Sequence, residues 1–68
     1  METKKIDNNK LAVKLRDGSW FVAYKTNGRY YFTSMQNHDA YISNAGEIHE
    51  LHDVESLLEV AEFLYYNF

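Results

Sequence analysis

His49 and His52 lie three residues apart, with Glu47, Glu50 and Asp53 close by and His38 upstream. Imidazole and carboxylate are groups that zinc takes, but a zinc site needs three or four ligands converging tetrahedrally. A bare H-x-x-H pair outside a helix or knuckle imposes no such convergence, and the stretch reads instead as a solvated approach to a helix. Covalent chemistry has no better footing. There is no cysteine, and Ser19, Ser34, Ser43 and Ser56 lack any elbow or triad pattern. The three glycines fall in or near turns rather than in a phosphate-cradling array. Carboxylates are numerous, but a paired catalytic acid and base need a cleft, for which a 68-residue chain has little room. The expectation is a non-enzyme with no metal and no cofactor.

Residue types suited to association are better represented. One set is Phe63 and Tyr66 with Glu59 and Glu62, aromatic side chains among acids near the C-terminus. Aromatic residues are enriched at the energetic centres of protein interfaces, so this set is the first candidate for contact with a protein partner. The second set is Phe21, Tyr30 and Phe32 with Lys14, Arg16 and Lys25. Rings framed by cations can stack the bases of single-stranded nucleic acid while the cations neutralise phosphates. No RNP consensus accompanies them, and a net charge of −3 opposes a general nucleic-acid binder.

Both sets depend on the elements that carry them. Leu11, Val13 and Leu15 alternate with Ala12, Lys14 and Arg16, the period-two pattern of a half-buried strand over 10–16. Asp17-Gly18 and Asn27-Gly28 are both two-residue hairpin signals, which places further strands at 19–26 and 29–34. With two-residue loops at both corners, Leu15 faces Trp20, Val13 faces Val22, and Tyr24 faces Tyr31. The core face is then Leu11, Val13, Leu15, Trp20, Val22, Tyr24 and Tyr31, which leaves Phe21, Tyr30 and Phe32 on the back. Residues 40–43 and 47–51 are short extended candidates around a turn at 44–46. Asp53 reads as a helix N-cap. After it, Val54, Leu57, Leu58, Ala61, Leu64, Tyr65 and Phe68 form one stripe, which points Phe63 outward. The polar residues 1–9 read as a flexible lead-in to a single domain over 10–68. The fold class is α+β: an antiparallel meander of three to four strands with one C-terminal helix packed on one face.

A chain of 68 residues is close to the lower limit for independent folding. With no disulfide to staple it, an aromatic fraction of 16% or a partner must make up the deficit. No apolar run approaches the roughly 20 residues that span a bilayer, so no membrane partner is expected. The cysteine-free, signal-free chain suits the cytoplasm. Asn, Lys, Tyr, Phe and Ile are frequent and proline is absent, which fits an AT-rich phage or mobile-element gene. The functional expectation is a small non-catalytic protein-binding module, a modulator of a host protein. Self-association is a further outcome, and single-stranded nucleic-acid binding through the sheet is the alternative.

Overall fold

The computed structural model describes residues 1–35 and 48–68. The expected short strand at 40–43 and the turn at 44–46 lie outside the described residues. Five strands form one antiparallel sheet in sequence order: β1 (Glu2–Asp7), β2 (Lys10–Lys14), β3 (Trp20–Thr26), β4 (Arg29–Ser34) and β5 (His49–Leu51). Helix α1 (Leu57–Asn67) lies across β2, β3 and β4. The class is α+β, with a fuller sheet than the three or four strands expected.

The added strand is β1, where a polar lead-in was expected, while β5 falls within the extended candidate at 47–51. All six of its side chains are exposed, so it carries no apolar alternation by which a strand is recognised. It is held by backbone pairing to β2, from Glu2 opposite Lys14 to Lys5 opposite Leu11, with a bulge at Ile6. The Asp7 carboxylate closes the corner by accepting the Asn9 amide at 2.7 Å.

The two glycine corners differ. At Asn27-Gly28 both residues take positive φ (54° and 75°), as a type I′ turn requires, and Tyr24 faces Tyr31 as expected. At Asp17-Gly18 only the glycine does, with φ 92°. Gly18 N–H donates to the Leu15 carbonyl at 3.0 Å, and Leu15 N–H donates to the Ser19 carbonyl at 2.8 Å. This is a three-residue loop, a type I turn closed by a left-handed glycine, rather than the two-residue loop expected. The Asp17 carboxylate fixes it by accepting both the Ser19 hydroxyl (2.7 Å) and the Ser19 amide (2.9 Å). Those two bonds, the hydroxyl first, hold the Asp17 carboxyl below the usual aspartate range.

One extra loop residue shifts the β2–β3 register by one, so Val13 faces Phe21 and Leu11 faces Ala23. A one-residue shift moves every side chain of a strand to the other face relative to its neighbour. The expected core face is corrected accordingly. Leu11, Val13 and Leu15 do lie under the helix, but their companions are Phe21, Ala23, Tyr30 and Phe32, not Trp20, Val22, Tyr24 and Tyr31. Ala12, Val22 and Thr33 fall on the opposite face and are buried there.

The helix start is corrected as well. Asp53 has φ 63° and caps nothing; the N-cap is Ser56, whose hydroxyl accepts the Glu59 amide at 3.2 Å. Glu59 reaches back to accept the Glu55 amide at 3.0 Å, one residue before the Ser56 amide that an ideal capping box uses. Such a cap contributes about 1 kcal/mol. Val60, Ala61 and Leu64 are the buried helical residues, with Leu57 and Phe63 packed beside them.

Candidate partner-binding surface

The shift of register decides where the predicted contact residues go. Phe32 is buried, and Phe21 and Tyr30 are half-buried against the same core. Phe32 meets Phe68 edge-on at 5.7 Å between centroids and Phe63 at 6.3 Å, while Phe21 meets Phe68 at 5.8 Å. These four rings close one end of the core. Tyr30 donates its hydroxyl to the Glu55 carbonyl at 3.0 Å and so ties the sheet to the approach of the helix. The set expected to form an open aromatic platform is therefore the floor beneath α1.

Its cations are dispersed. Lys14 pairs with Trp20 in the register and so lies on the opposite face, 4.0 Å from Glu2. Arg16 stands at the C-terminal end of the helix, donating to the Tyr66 carbonyl at 3.4 Å with its guanidinium 5.8 Å from the Tyr65 ring centroid. A cation there favours the exposed helix carbonyls. Lys25 lies 5.3 Å from the Tyr30 ring centroid. The structure does not gather Lys14, Arg16 and Lys25 around exposed rings.

The helix set is partly rearranged. Phe63, expected to point outward, packs against the core, because Phe32 and Phe68 draw it in. Leu58, expected inside, is turned out and is 51% exposed. Tyr66 is 67% exposed, and Glu59 and Glu62 are exposed beside it. Leu58, Glu62 and Tyr66 stand at i, i+4 and i+8, so they form one row along the outer face, with Glu59 at its flank. Glu59 is engaged in the cap, while Glu62 makes no ion pair among the described residues. Sequence reasoning missed Leu58 as a surface residue. Ser56-Leu57-Leu58-Glu59 signals where the helix starts, but which face it buries is set by the sheet beneath it.

Two other places have the chemistry for a site but not its geometry. The His49 ring stacks on Phe32 at 5.3 Å, while His52 turns to Glu50 at 3.7 Å, so the two rings face different partners. A cleft of about 630 Å³ opens beside the Asp7–Asn9 corner, against Lys10, Tyr24, Thr33 and Ile48. Ligand clefts are mostly apolar with a few convergent polar groups. Here Ile48 is the one aliphatic side chain of the described wall, the Asp7 carboxylate is engaged by Asn9, and the Tyr24 ring is stacked on Tyr31 at 5.5 Å. Burial, and secondarily the negative charge that Tyr31 carries when ionised, pushes the Tyr24 phenol up.

Among the described residues no helix is long and apolar enough to cross a membrane. No protein-family model, curated protein or solved structure matches the chain.

Proposed function

We propose that this chain is a small non-catalytic binding module that docks on another protein through the outer row of α1. The observation that carries the reading is the pairing of two large side chains, Leu58 at 51% and Tyr66 at 67% exposure, on one helical row with Glu62 between them. An amphipathic helix offers such a row to an apolar groove, and the glutamates favour a groove rimmed by cations. Phe63 acts from behind, holding the row in place. The AT-rich residue composition supports a phage or mobile-element origin, with a host protein as the partner and the cytoplasm as the compartment.

The test is affinity capture from host lysate using the wild-type chain and the Leu58→Ser/Tyr66→Ser variant, with a nuclease-treated arm. Both side chains are exposed, so the variant should keep its melting temperature. Loss of the captured protein by tenfold or more, unaffected by nuclease, is the expected result. Equal capture by the variant refutes the helical row. Material retained only without nuclease would favour the single-stranded nucleic-acid alternative.

A further inference from the structure

We propose that the free edge of β1 is a second docking site, one that accepts an extended acidic segment of another protein as a sixth strand. This surface is independent of the helical row. Among the described residues β1 is the terminal strand of the sheet, bonded to β2 on one side. About half of the backbone N–H and C=O groups of such a strand face away from its neighbour, which makes the edge a template for a further strand.

Charge selects the occupant. The acids of β1 are engaged within its own hairpin: Glu2 stands 4.0 Å from Lys14, and the Asp7 carboxylate accepts the Asn9 amide. Lys4 and Lys5 have no ion pair among the described residues, and their side chains are exposed. Being consecutive in a strand, they point to opposite faces. An incoming strand with two consecutive carboxylates can therefore set one opposite each lysine, and directly opposed unlike charges stabilise a strand pair. A second copy of β1 does the reverse. Antiparallel pairing of two identical edges sets a residue opposite its own copy, and the two registers of greatest overlap set Lys4 against Lys4 or Lys5 against Lys5; directly opposed like charges are destabilising. The edge thus disfavours its own best-overlapped self-pairing while remaining open to an acidic strand. The contrary reading is that the lysines only guard the edge against all pairing.

The two readings separate in an amide-exchange experiment on the full chain. The probe is a capped peptide, Thr-Val-Glu-Glu-Val-Thr, with Thr-Val-Lys-Lys-Val-Thr as control. Expected is slowed exchange at the outward amides of β1 with the acidic probe alone, weakened by added salt. Lys4→Glu/Lys5→Glu should bind the acidic probe at least tenfold more weakly and bind the lysine probe instead. These positions are exposed, and unchanged exchange in β3 and β4 checks that the variant is folded. No protection of β1 at millimolar acidic probe, equal protection by both probes, or undiminished binding by the variant would overturn the proposal.

Discussion

Phe32→Ala is expected to cost about 3–5 kcal/mol, the range for deleting a buried phenylalanine. Phe32 is the ring on which the closed end of the core is built. It is buried, lies edge-on to Phe68, is tilted against Phe63, and stacks on His49 of β5. Alanine removes all three ring contacts together. The cavity it leaves is bordered by a strand and a helix terminus that can collapse only in part. A domain of this size has roughly 3–5 kcal/mol in total from its core, so most of the variant population should be unfolded at room temperature. Urea or thermal denaturation followed by circular dichroism reads the effect directly. A near-wild-type midpoint would mean that Phe32 lies against solvent, as it would in the unshifted register.

Leu64→Ala is the second large effect, about 2–5 kcal/mol. Leu64 is fully buried, is the bulkiest such side chain in the described core, and belongs to one cluster with Val13 and Ala23. The cluster includes Ala61 and Ala23, which have no length with which to fill the space. Leu58→Ala is the internal control, because half-exposed positions away from special features usually change stability by no more than about 0.5 kcal/mol. The contrast between two leucines on one helix tests the phase of that helix: equal losses at both positions would contradict it.

The fold was legible in the sequence wherever one interaction dominated. Asn27-Gly28 defined its hairpin because both residues adopt left-handed backbone at little cost, and β4 ran as expected from it. The C-terminal helix was legible from its apolar spacing. Asp17-Gly18 carries a signal that two loop lengths share. What separates them is the Asp17 carboxylate bonded to Ser19, a local competition that the dipeptide does not display. From that corner the error spread, since period two turns one misplaced residue into a misplaced face. The outer row was misread separately, from the helix's own apolar spacing. Once Phe32 lay under the helix, Phe63 was drawn inward and Leu58 outward, so of the four residues expected to meet a partner, Tyr66, Glu59 and Glu62 keep an exposed position and Phe63 does not. β1 escaped sequence reasoning because a strand held by its backbone alone leaves no pattern in its side chains.

The central claim is that β2 and β3 meet with Val13 opposite Phe21, which puts Phe21 and Phe32 under the helix while Leu58 and Tyr66 stand exposed on its outer face. Nuclear Overhauser contacts on the labelled protein test it most directly. Cross-strand backbone contacts between Val13 and Phe21, together with contacts from the Phe32 ring to the rings of Phe63 and Phe68, are the expected result. Backbone contacts between Val13 and Val22, with a Phe32 ring that touches neither phenylalanine, would contradict it.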